Sequence, residues 1–258
     1  MSIVECDLAA LSSLTGQLSG QYDVFVHLGW NTATREITND PFAQVQSILQ
    51  TLDAVRLAHD LGCKVFVGAG SQAEYGRVEG LITVNTPANP ETNYGIAKYA
   101  AGKLSRQLCE TYHIRHCWCR ILSIYGPFDR ETTGIMYCIQ SLLNGKKPSL
   151  TRAEQTWDYI YSADCAKALY LIAEKGRHGV VYPIGSGQAR PLREYFECVR
   201  NFINPLLPLG IGDKQYQDGQ VMRLCTDINV LTKDTGFVPE YSFEVGIKET
   251  IEWVKKNR

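Results

Sequence analysis

Three short apolar runs alternate with two long segments of helical periodicity, and this alternation most constrains the fold. Asp23–Leu28, Lys64–Val67 and His116–Leu122 are the compact apolar runs expected of strands buried in a parallel sheet. Between the first two, Asp40-Pro41 reads as an N-cap followed by Pro at the first helical position. The helix it opens carries Val45, Ile48, Leu49, Leu52, Val55 and Leu57 and stops at Gly62. Between the second and third runs, a Pro/Asn-rich loop (85–93) leads into a helix reaching to about Tyr112. Strand–helix–strand–helix–strand order predicts a parallel sheet with helices on both faces. Ligands bind beyond the carboxyl ends of such strands, which puts Ser71, Tyr125 and the start of the Tyr94 helix on one rim.

Ahead of this unit, Ile3-Val4-Glu5-Cys6 reads as extended, and Asp7-Leu8 caps a weak helix over 9–14. Beyond Gly134 the pattern becomes mixed. Helices are expected over 135–144, 163–175, 192–202, 227–235 and 243–255, with extended pieces at 159–161, 180–184 and 221–225. Several of these form a smaller lobe over the active edge. The expected organisation is a sheet domain over 1–130 with parts of 150–190, and an interleaved lobe made mainly from 131–258.

The 258 residues are 45% hydrophobic, enough for one large domain or a domain plus lobe. A net charge of −1 provides no global field for nucleic acid or an anionic membrane. No apolar run of about 18 residues occurs, and the N-terminus lacks a basic-then-apolar signal sequence. Nine cysteines without Cys-x-x-Cys spacing read as reduced structural thiols of a cytoplasmic protein. His27, His59, His113, His116 and His178 show no metal-ligand spacing, so no metal site is expected.

The chemistry-bearing stretch is Asn93-Tyr94-Gly95-Ile96-Ala97-Lys98. Tyr and Lys four apart share one helix face, their Cβ atoms about 5–6 Å apart. An ammonium near a phenol in a cleft favours the phenolate, bringing it toward use as a general acid/base. The same helix repeats the spacing at Tyr99–Lys103, and five residues at about 100° each point Tyr99 some 140° away from Tyr94. Spacing alone does not choose between the pairs. Gly68-Ala69-Gly70-Ser71-Gln72-Ala73 fits a dinucleotide fingerprint on paper, but no helical period follows it, so a turn is the better reading. Gly185-Ser186-Gly187 is also read as a tight turn.

Together these stretches resemble the extended short-chain dehydrogenase/reductases of the NAD-dependent epimerase/dehydratase group, which act on nucleotide sugars. Ser71–Gly76 resembles the family's strand end with Ser or Thr four residues before Tyr-Gly. Tyr94–Lys98 resembles its Tyr-x-x-x-Lys, 23 residues beyond Ser71. Arg120–Pro127, Trp157–Asp164, Val181–Gly187 and the terminal helix 243–253 resemble its later motifs in order. The resemblance selects Tyr94 over Tyr99. It implies Tyr94, Lys98 and Ser71 as catalytic residues, with Tyr94 exchanging the substrate proton, Lys98 lowering its pKa and bonding the nicotinamide ribose, and Ser71 orienting the substrate oxygen. It further implies NAD or NADP contacts from Asp7, Leu8, Leu28, Gly29, Trp30, Tyr94, Lys98 and Ile124, and substrate contacts from Gln72, Ser123, Trp157 and Arg223. Family members usually dimerise through helices corresponding to 40–61 and 93–112, so a homodimer is expected.

The chain departs from the family at its front. Cys6-Asp7-Leu8 matches the adenine-contacting Asp-Leu/Ile, and these 258 residues contain no glycine-rich βαβ unit ahead of it. The expected fold is therefore a Rossmann-like doubly wound parallel sheet truncated at its N-terminal βαβ, with a small mixed α/β substrate lobe. Gln72-Ala73 stands where the family's dehydratases place Asp-Glu, pointing to C4 epimerisation or 4-keto reduction. Trp157 replaces a phosphate-binding Arg, Gln217 lies near the place of another with Arg223 following, and Ser123 replaces Asn. The alternative is a catalytically silent sugar-nucleotide-binding relic that no longer takes a dinucleotide.

Overall fold

The computed structural model describes residues 2–18, 20–31 and 34–257. Its central sheet is four-stranded and entirely parallel, in the order β1 (Val24–His27), β2 (Val65–Ser71), β3 (Arg115–Ile121), β8 (Val181–Ile184). The connections are α1 (Arg35–Asn39) and α2 (Pro41–Asp60), then α3 (Asn93–Thr111). From β3 to β8 the chain passes through β4 (Ser123–Tyr125), α4 (Gly134–Leu143), β5 (Ser149–Leu150), β6 (Thr156–Trp157), β7 (Tyr159–Tyr161) and α5 (Ser162–Lys175). β9 (Arg190–Pro191), α6 (Leu192–Ile203), β10 (Gly210–Ile211), β11 (Arg223–Leu224), α7 (Asn229–Thr235) and α8 (Phe243–Lys256) complete it.

Alternation along the strands divides two cores. Val65 and Val67, with Cys117 and Cys119, face Cys165, Leu169 and Ile172 of α5 and Leu231 of α7. Phe66 faces the other way, against Ala54, Val55 and Ala58 of α2. A 3₁₀-helix, Leu8–Gly16, capped by the Asp7 carboxylate on the Ala9 N–H, adds Leu11 and Leu14 to that second core. A third core belongs to the lobe, where Ile135, Ile139 and Leu142 of α4 meet Tyr195, Phe196 and Val199 of α6 and Ile247 and Ile251 of α8. The sheet is thus covered on both faces, a Rossmann-like α/β arrangement.

Local signals account for the elements that carry the site. The Asp40 carboxylate caps α2 at the Phe42 N–H, 3.0 Å away, with Pro41 at the first position. Thr92 caps α3 at the Gly95 N–H. Strand β2 runs farther than its apolar run suggests, through both glycines to Ser71. Gly68 and Gly70 lie against the indole of Trp118 on β3, where any Cβ would collide with the ring. They are glycines because of cross-strand packing. The expected extended run at 3–6 takes no strand pairing, and α1 was not signalled by the sequence pattern. All nine cysteines are free thiols, and burial pushes Cys109, Cys138 and Cys165 up to about 12.

Candidate active site

Strand β2 ends at Ser71, and the chain turns at once through a 3₁₀ turn, Gln72–Glu74. Ser71 and Glu74 form a capping box: the Ser71 oxygen accepts from the Ala73 N–H at 3.2 Å, while the Glu74 carboxylate accepts from the Ser71 N–H at 2.8 Å. The first turn of α3 lies directly against this turn, because Gly95 approaches the Ala73 carbonyl too closely for a side chain. That approach sets Tyr94 beside Ser71, whose hydroxyl favours the phenolate.

Burial raises the Tyr94 phenol above its ordinary value, and the negative charge of Glu74 adds to this. The neighbouring Ser71 hydroxyl and the Arg130 charge pull it back down. The expected lowering by Lys98 is not what this geometry carries. The Lys98 ammonium donates to the Ala69 carbonyl at 2.7 Å and lies 3.9 Å from the centroid of the Trp30 ring. Its distance to the Tyr94 ring centroid is 6.0 Å. Lys98 is only 4% exposed, and burial brings its amine down to about 7 while Glu74 opposes the shift.

Beneath these residues lies a cluster that sequence reasoning missed. Glu74 is fully buried, and its two oxygens accept from Trp118 Nε1 at 2.9 and 3.2 Å and from Arg120 Nε at 2.7 Å. The Arg120 guanidinium lies over the Tyr75 ring, 4.4 Å from its centroid. Glu74 thereby holds the Ser71 backbone and contributes negative charge near both Tyr94 and Lys98. The signal was present as Ser-x-x-Glu directly after a strand.

The twin pair lies elsewhere. Tyr99 faces the Arg120 guanidinium at 5.8 Å and its own Lys103 at 5.5 Å, and both line a small recess with Gly102, Arg106 and His116.

Ile124 apart, the expected cofactor residues fall into two groups. Leu8 packs directly on Gly29, leaving no room there for a side chain, and Leu28 is exposed beside them. Asp7 is committed to capping the 3₁₀-helix. Trp30 stands with Tyr94 and Lys98, its ring edge-on to Tyr94 at 6.3 Å. On the lobe side, Ser123 and Trp157 meet, the indole N–H donating to the serine oxygen at 2.7 Å. Arg223 is paired in register with Thr156, beside Trp157, and is exposed. Gln72 lies in the turn after Ser71, and Ile124 is partly exposed on β4. Among the described residues no cluster of His, Cys, Asp or Glu could hold a metal ion, and no helix is long and apolar enough to cross a membrane.

The donor set fits the ribose end of a nicotinamide dinucleotide. A buried ammonium with N–H bonds beyond the one given to Ala69 lies behind a phenol and a hydroxyl at the strand ends. The Trp30 indole is the group standing over that ammonium.

A parallel sheet covered on both faces, with Ser, Tyr and Lys gathered at its carboxyl edge, defines a Rossmann-like protein of the short-chain dehydrogenase/reductase type. The NAD dependent epimerase/dehydratase family matches residues 1–185, and the chain belongs to that family. A dTDP-glucose 4,6-dehydratase of Escherichia coli is 28% identical over 189 residues, 69% of this chain and 52% of the relative. The chain thus spans about half the length of such dehydratases. A putative UDP-glucose 4-epimerase of Methanocaldococcus jannaschii is 27% identical over 243 residues, 91% of this chain and 78% of that protein. Among solved structures, RMD from Pseudomonas aeruginosa complexed with NADPH superposes with a TM-score of 0.88 at 21% identity, covering 99% of this chain and 89% of that one. The UDP-glucose 4-epimerase of Thermotoga maritima with UDP-glucose gives 0.87 at 20% identity, covering 97% and 82%. These structural likenesses concern the fold.

Proposed function

We propose that this chain is an NAD(P)-dependent epimerase or 4-keto reductase acting on a nucleotide-activated sugar. The observation that carries the reading is the placing of Tyr94 beside Ser71 at the end of β2, with Lys98 buried one helical turn behind. A bound dinucleotide would remove or supply hydride at a sugar carbon. Tyr94 takes or returns the proton on the adjoining oxygen, and the Ser71 hydroxyl orients that oxygen. Glu74 holds Ser71 in place through its backbone N–H. Neither Gln72 nor Ala73 offers the carboxylates that eliminating water would use, so epimerisation or reduction is preferred to dehydration. On the lobe, the Trp157 indole offers a face to a sugar or base, and Arg223 beside it a charge for a phosphate.

A second reading, a sugar-nucleotide binder without turnover, draws on one observation: Trp30 covers Lys98. One experiment separates the two. UDP-glucose and dTDP-glucose are incubated with the protein and each of NAD+, NADH, NADP+ and NADPH, products are followed by NMR, and binding by thermal shift. The expected outcome is turnover that Tyr94→Phe abolishes without loss of fold and Tyr99→Phe leaves intact. A thermal shift with nucleotide sugar alone, and none with any dinucleotide, selects the binder. Equal loss in both variants would refute the choice of Tyr94.

A further inference from the structure

We propose that Trp30 is a resident cap on Lys98 and decides what reaches it: a nicotinamide dinucleotide engages the ammonium only after the indole has turned aside. The proposal rests on the cofactor reading above and adds a determinant to it.

Lys98 is closed in from several sides. The Ala69 carbonyl accepts one of its N–H bonds at 2.7 Å, and the Trp30 ring lies over the ammonium with its centroid 3.9 Å away. A cation this buried requires such partners, and an indole face is the best aromatic one. With the ring over the ammonium and the side chain 4% exposed, the amine has little open surface left for a ligand oxygen.

The indole is also held. Its Nε1–H donates to Gln44 Oε1 at 2.9 Å. Gln44, near the start of α2, is 1% exposed, and its amide nitrogen donates to the Ile37 carbonyl at 3.0 Å and to the Asn31 carbonyl at 3.4 Å. Gln44 thus fastens the ring, the backbone just after it and α1 to one point. The Tyr94 ring stands near-perpendicular to the indole, centroids 6.3 Å apart. Turning the indole out breaks the Gln44 hydrogen bond and the contact with Lys98, so a dinucleotide must offset both losses before it gains its own contacts. Ser71 takes no part in these contacts, its own hydrogen bonds running to Glu74 and Ala73.

The test compares wild type with Trp30→Ala, Trp30→Phe and Gln44→Leu, each checked for fold by circular dichroism. NADH and NADPH binding is measured by calorimetry and by the nicotinamide fluorescence of the bound cofactor. In parallel, Lys98 accessibility is read by reductive methylation and mass spectrometry. Removing the cap should tighten binding of at least one cofactor about tenfold to a hundredfold, the worth of a desolvated cation–π contact. Phe, which keeps a ring but loses the anchor, should fall between Ala and wild type. Lys98 should be protected in wild type and methylated in Trp30→Ala. Gln44→Leu, which frees the ring without deleting it, should move in the same direction and serves if Trp30→Ala does not fold. Equal affinities in wild type and folded variants would overturn the cap while leaving the cofactor reading intact. Weaker binding in Trp30→Ala would overturn it by making Trp30 a stacking partner. No binding of either cofactor by folded Trp30→Ala or Trp30→Phe would overturn both the cap and the cofactor reading.

Discussion

Glu74→Gln is the sharpest perturbation available beneath the site. Glu74 and Arg120 form a 2.7 Å ion pair in which the side chains are 1% and 7% exposed. Glutamine can place its carbonyl where Oε1 stands and keep the Ser71 and Trp118 N–H groups satisfied. Its NH2 then faces the Arg120 Nε–H, donor against donor, and the guanidinium is left buried without a counter-charge. Removing one partner of a buried pair costs about 3–5 kcal/mol. At about 2–4 °C per kcal/mol for a domain of this size, the melting temperature should fall by about 6–20 °C. The assay is thermal and urea unfolding by circular dichroism. Arg120→Met in the Glu74→Gln background removes the orphaned cation and keeps apolar volume over Tyr75, so the double variant should recover much of the loss. A single variant within about 0.5 kcal/mol of wild type, the range of an ordinary surface change, would refute the reasoning. So would a double variant no more stable than the single one.

Two further predictions concern Lys98 and the helix pair. The folded-state value of Lys98 lies below its ordinary 10.5, at about 7, so the unfolded chain binds more protons between those values and stability rises with pH there. Its contribution is complete above 10.5 and lost as pH falls through about 7; Lys98→Met should remove a slope of at most about 1.4 kcal/mol per pH unit, read from urea midpoints at pH 7, 8 and 9. For association, Val45 and Leu49 on α2 are 54% and 50% exposed, with Phe42, Ile96 and Leu104 also exposed on α2 and α3. A homodimer through these helices is expected by light scattering for wild type, and a monomer for Val45→Glu combined with Leu49→Glu.

Much of the sheet was legible because each of its strands is short, apolar and bounded by turn residues. The Asp40-Pro41 start of α2 could be read directly from capping chemistry, which acts within a few residues. The Gly68-Ala69-Gly70 run was legible only as something other than a phosphate loop. Its real cause, the Trp118 indole, sits on the next strand 48 residues or more along the chain. The 3₁₀ turn after Ser71 was written in Ser-x-x-Glu, yet that spacing does not say that Glu74 will be fully buried.

By itself, the sequence determined the alternation that makes a parallel sheet, the rim on which Ser71 and Tyr94 lie, and the face that Tyr94 shares with Lys98. Each of these follows from periodicity inside one element or from the order of neighbouring elements. Tertiary structure alone decided where the Lys98 ammonium points. Spacing puts it near Tyr94, but the Ala69 carbonyl and the Trp30 ring compete for it, and Trp30 arrives 68 residues earlier in the chain. A buried charge goes to whichever partners the packing supplies, because leaving it unpaired costs more than any local preference returns.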